Sequence, residues 1–187
     1  MRAAVAAELL KIRTARLPWA LLAVAVGLTG LHSLLFDSNA GGTGHASIPS
    51  LATYSGQTQA VNIPGEVLLL ASVVGIILAS GEFRHKTATA TYLATPSRSR
   101  VLVAKAAAAA CLGLVFGVLG AAVATTIGLF FVTGTGHHLL LSAQTMGRFA
   151  AGGAIASAIL AAAGVAVGTL IRSQIGAIIT VFVWGFV

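Results

Sequence analysis

Residues 106–132 read AAAAACLGLVFGVLGAAVATTIGLFFV, 27 consecutive positions without a charged side chain. As an α-helix this stretch is about 40 Å long at 1.5 Å per residue, whereas a bilayer hydrocarbon core of about 30 Å needs about 20 residues. It is therefore long enough to cross a membrane, and its surplus must be taken up by tilting, kinking or projecting beyond the bilayer.

Similar stretches lie on either side. Upstream, residues 64–81 form a second apolar span, with Asn62 placed as an N-cap and Glu66 in the first turn, near the positive end of the helix dipole. Downstream, a loop at 133–148 leads to a span at 149–171, and Arg172-Ser173 form a minimal turn before a last apolar segment at 174–187. That segment is too short to cross and ends Val-Phe-Val-Trp-Gly-Phe-Val with no polar flank. A terminal carboxylate in hydrocarbon is costly, so the natural chain is expected to continue and complete this span. Toward the N-terminus, residues 37–62 are rich in Gly, Ser and Thr and read as an external loop. The first span, 17–36, is longer than the roughly 7–15 residues of a signal-peptide core and reads as retained. Residues 1–16 place Val5, Leu9 and Ile12 on one helical face, which predicts an amphipathic helix along the membrane surface.

Composition agrees with an all-α, polytopic transmembrane bundle of about five visible spans, six in a complete chain. Of 187 residues, 57% are apolar and 8% charged, against about 25% charged in a soluble domain. The formal net charge of +7 could suggest nucleic acid, but the basic residues lie between apolar spans and lack the interleaved aromatics that stack bases, so no nucleic-acid partner is expected. Orientation in the membrane explains them better. With the N-terminus cytoplasmic, Arg2, Lys11, Arg13, Arg16, Arg84, Lys86, Arg98, Arg100, Lys105 and Arg172 fall inside, and Arg148 alone falls outside.

The chain carries no phosphate loop of the G-x-x-x-x-G-K-[ST] type, no H-E-x-x-H helix and no G-x-S-x-G elbow. It is not expected to be an enzyme or to hold a cofactor or metal. His137-His138, about 100° apart if helical, read as solvated loop residues. Cys111 lies within an apolar run and reads as an inert packing residue. The spans are nearly free of charge, which argues against an ion relay. Gly113 with Gly117, and Gly164 with Gly168, have the G-x-x-x-G spacing that lets helices approach closely; packing within the chain is preferred over a dimerisation face.

The segment GEFRHKTATATYLATPSRSRVLVAK, residues 81–105, is polar and basic. In Glu82, Arg84, Thr87, Leu93, Pro96, Arg98, Arg100 and Lys105 it resembles the loop between spans two and three of bacterial ABC exporter permeases of the second class. The match extends more loosely over the whole chain, although members usually have six spans. The resemblance implies a permease domain over 17–187 in the bacterial cytoplasmic membrane. Its partners would be membrane lipids, a second permease subunit, identical or homologous, and two copies of an ABC ATPase that holds ATP and Mg. It also implies that this loop forms a coupling helix seated on the ATPase. Glu82, Phe83, Arg84, His85, Lys86, Thr87, Tyr92 and Leu93 are the expected coupling residues. Phe83, Tyr92 and Leu93 would supply apolar anchors, and Glu82, Arg84 and Lys86 complementary charge, in a short helix that ends before Pro96. The expected activity is export of a hydrophobic or amphipathic substrate by alternating access. The alternatives are a non-transporting membrane scaffold or accessory subunit and, less favoured, an ion-coupled transporter.

Overall fold

A computed structural model describes residues 2–42, 48–84, 97–171 and 173–186. Its elements, in order, are α1 (Arg2–Thr14), α2 (Arg16–Ser38), α3 (Tyr54–Val61), α4 (Gly65–Arg84), α5 (Arg98–Gly134), α6 (Ala143–Ile171) and α7 (Gln174–Phe186). No strand occurs among the described residues. Among the described residues, four stretches are long and apolar enough to span a bilayer: Arg16–Ser38, Tyr54–Gly81, Ser99–Gly134 and Ala143–Ile171.

The long helices alternate in direction. α5 packs against α6, α2, α4, α3 and α1, while α4 also packs against α6 and α7. The shared core is built from Val67, Ala71, Val74, Ala108, Ala109, Leu112, Phe116, Ala161 and Val165. Small residues set the spacing. A Cβ on Gly113 or Gly117 would collide with the α6 backbone at Ser157 or Ala154, and one on Gly164 or Gly168 would press on α4 at Ser72 or Ile76. Both G-x-x-x-G pairs therefore serve contacts within the chain. The outward surface is apolar: Phe130, Leu170, Ile175 and Trp184 are all strongly exposed, as expected when the surrounding solvent is lipid.

Several local expectations change. α5 is an unbroken helix of 37 residues, about 55 Å long, so the surplus extends as regular helix instead of breaking it. Gly136, at φ +74°, lies just beyond its end in the left-handed region that glycine tolerates. Asn62 does not cap α4. It is the C-cap of α3, its Oδ1 accepting from the Ile63 N–H at 3.0 Å, because Ile63 and Pro64 intervene before α4 begins. Cys111 is exposed instead of packed in the core. On a helix that is apolar all round, hydropathy does not distinguish the core face from the lipid face.

The segment between α2 and α4 is partly helical. Thr53 caps α3, its Oγ1 accepting from Gly56 N–H at 3.1 Å. Gln57, fully buried, donates from Nε2 to the carbonyls of Leu51 (3.0 Å) and His138 (2.8 Å), and its Oε1 accepts from Leu140 N–H at 2.8 Å. One amide thereby ties together the two loops at the end of the bundle remote from α1. Nearby, His32 Nδ1 on α2 donates to Glu66 Oε1 on α4 at 2.8 Å, so Glu66 joins two helices as well as lying in the first turn of its own.

Candidate functional site

The end of the bundle that carries α1 gathers the C-terminus of α4 and the N-terminus of α5. Charge within the packed part of this end is centred on Glu8. Its Oε1 accepts from Lys11 Nζ at 2.7 Å, one turn along α1, and its Oε2 accepts from Lys105 Nζ at 3.0 Å, 97 positions away on α5. Glu8 and Lys105 are only 8% and 5% exposed, so the pair is almost fully withdrawn from solvent, whereas Lys11 is half-exposed.

The sequence places these groups for physical reasons. Glu8 and Ile12 are four residues apart and share the α1 face turned to the bundle, where Ile12 enters the core. Leu9 is exposed, and the charged Glu8 shares the inward face with Ile12. Lys105 lies two turns into α5, just before Ala108 and Ala109 enter the core. A cation at that depth needs an anionic partner, and Glu8 supplies one.

Glu8 was missed as a site residue. The available signal was scarcity: the chain has four acidic residues, and a lone acid on a basic helix beside an apolar span is a natural partner for a buried lysine.

Of the expected coupling residues, Glu82, Phe83 and Arg84 form the last turn of α4. His85, Lys86, Thr87, Tyr92 and Leu93 lie outside the described residues, as does Pro96. Arg98 and Arg100 fall in the first turn of α5, and Arg100 is exposed. The two flanks of the expected coupling loop thus stand at the same end of the bundle as α1, with the Glu8–Lys105 pair joining α1 to the downstream flank. No group of three His, Cys, Asp or Glu side chains suited to a metal occurs among the described residues.

A family described as ABC-2 family transporter protein matches residues 4–187, almost the entire chain. The chain belongs to this family. No curated protein and no solved structure matches it. As an ABC-2 family member it is a multi-pass membrane permease of an ABC transporter, a class of chain that works with an ABC ATPase. Membership also accounts for the architecture, in which four long apolar helices and a shorter one form an all-α bundle.

Proposed function

We propose that the chain is the membrane-spanning subunit of an ATP-driven exporter in the bacterial cytoplasmic membrane, with its N-terminus cytoplasmic. It performs no catalysis itself. Two copies of a separate ABC ATPase bind ATP and Mg, and a second permease subunit, identical or homologous, completes the transport path. ATPase closure acts on residues 82–100, and the motion passes to α4 and α5, which the loop connects directly. Alternating access then moves a hydrophobic or amphipathic substrate across a bundle whose spans are almost free of charge.

One observation carries this reading: the buried Glu8–Lys105 pair at the base of α5. It makes α1 and the downstream flank of the loop one mechanical unit, so a push on the loop reaches both the surface helix and the long helix that contacts most of the bundle. An ion pair withdrawn from solvent adds little net stability, but it resists separation because an isolated buried charge is expensive.

The test is affinity purification of the tagged chain in mild detergent, with identification of what copurifies and assay of ATP hydrolysis. A stoichiometric ATPase is expected, with its binding or its substrate-stimulated turnover lost in Glu82→Ala and Phe83→Ala. A chain that purifies alone, or with a partner indifferent to these substitutions, would point instead to a scaffold without transport.

A further inference from the structure

At the end of the bundle opposite α1, the last turns of α2 face α3 and the start of α4 across a cavity of about 250 Å³. Its wall includes His32, Ser33, Phe36 and Asp37 from α2, Gln59 from α3, and Asn62. Asp37 is 3% exposed, and neither carboxyl oxygen has a hydrogen-bond partner among the described residues. Buried carboxyl oxygens are normally satisfied, since leaving one without a donor forfeits its hydration with no return. No lysine or arginine is among the described residues that line the cavity.

The remaining wall groups suit the same kind of visitor. The Nδ1–H of His32 is committed to Glu66. The His32 and Phe36 rings stack with centroids 6.0 Å apart and planes 17° from parallel, and an aromatic face attracts a cation. Gln59, Asn62 and Ser33 contribute side-chain oxygens, although Asn62 Oδ1 already accepts from Ile63. The wall thus sets an acid unpartnered among the described residues beside amide and hydroxyl groups that can both donate and accept, around a space smaller than the roughly 300–1,000 Å³ of drug-sized sites. A metal fits less well, because His32, Asp37 and Glu66 form no ligand cluster.

We propose that this cavity binds a small organic ammonium group, with Asp37 as its counter-ion. The –NH₃⁺ donates to both Asp37 oxygens, and its carbon stem lies against Phe36. The same chemistry is offered by a free amine and by the amine headgroup of a phospholipid. The inference does not depend on the transport reading, since binding is read without the ATPase.

The purified full chain is placed in nanodiscs of phosphatidylglycerol alone and titrated with ethanolamine. Ethylene glycol serves as the uncharged control, and a parallel sample contains phosphatidylethanolamine. Binding is followed by ligand-observed NMR and by the melting temperature. Wild type is expected to bind an amine and be stabilised by it, with no response to ethylene glycol. Asp37→Asn is expected to bind about tenfold or more weakly, the loss of one charge-assisted contact. A response only to the phospholipid assigns the site to a headgroup; a response to ethanolamine in phosphatidylglycerol assigns it to free amines. Without amine, Asp37→Asn should melt no lower than wild type, because it removes a buried carboxylate that has no partner among the described residues. The proposal is overturned if wild type responds to neither amine, which would leave a hydrated cavity only. It is equally overturned if Asp37→Asn binds as wild type does, or if that substitution lowers the melting temperature without changing amine binding.

Discussion

Glu8 and Lys105 are both hidden from solvent, and each is the other's contact across two helices that no short connection joins. Removing Lys105 leaves the buried Glu8 with the half-exposed Lys11 beside it, at a cost of up to about 3–5 kcal/mol. Lys105→Met should therefore lower the melting temperature by about 10 °C for a chain of this size. Glu8→Gln should cost less, because its amide oxygen still accepts from a lysine. The double variant Glu8→Leu with Lys105→Met should recover much of the loss, since it removes both charges together. Thermal unfolding of wild type, these variants and Glu8→Leu alone, which closes the cycle, checks this in one detergent. Strictly additive losses would mean that the two side chains contribute independently and that α1 is held by its apolar contacts through Ile12.

Helix contacts here depend on what is missing from the interface. Gly117 approaches the α6 backbone so closely that any side chain must push the helices apart, whereas a Cβ on Gly152 meets nothing within 4 Å. Gly117→Leu should destabilise the bundle by about 1–3 kcal/mol or more, the usual cost of overpacking, and Gly152→Leu should be close to neutral. Melting temperature and gel-filtration profile in detergent distinguish the two, and equal effects would contradict the α5–α6 interface described above. At this scale the sequence was highly legible. The spans at 17–36, 106–132 and 149–171 are found inside α2, α5 and α6, and that at 64–81 overlaps α4 at every position but Pro64. Their ends were less so: α5 begins at Arg98, because helix propensity continues beyond the apolar stretch into residues that water can solvate. What could not be read is which face of each helix turns inward. Cys111 was misjudged for this reason, and Gln57 was missed because the partners of a buried amide are backbone groups distant in sequence. The Glu8–Lys105 ion pair could be seen only in three-dimensional proximity, since its members lie 97 positions apart.

For the molecule as a whole, the placement of charge and the placement of apolar surface imply one another. Leu170, Ile175 and Trp184 are each more than 70% exposed, an arrangement that would promote aggregation in water and is ordinary in lipid. If lipid covers these flanks, only the two ends meet water, and the end with α1 and the start of α5 is the basic one. The positive-inside rule then places Ser99 in the cytoplasm and Ser55 and Ser142 outside. All three are exposed, so each can carry a reporter once Cys111→Ala has removed the native thiol. In intact cells a membrane-impermeant maleimide should label Ser55→Cys and Ser142→Cys but reach Ser99→Cys only after the membrane is permeabilised. Labelling of Ser99→Cys in intact cells, with protection of the other two, would invert the orientation. It would also remove the coupling loop from the compartment that holds ATP, and the proposed function would fall with it. Labelling of Ser55→Cys but not Ser142→Cys would contradict the bridge through Gln57, which requires both loops at one end. A single set of three cysteines thus tests both the direction of insertion and the pairing of the loops.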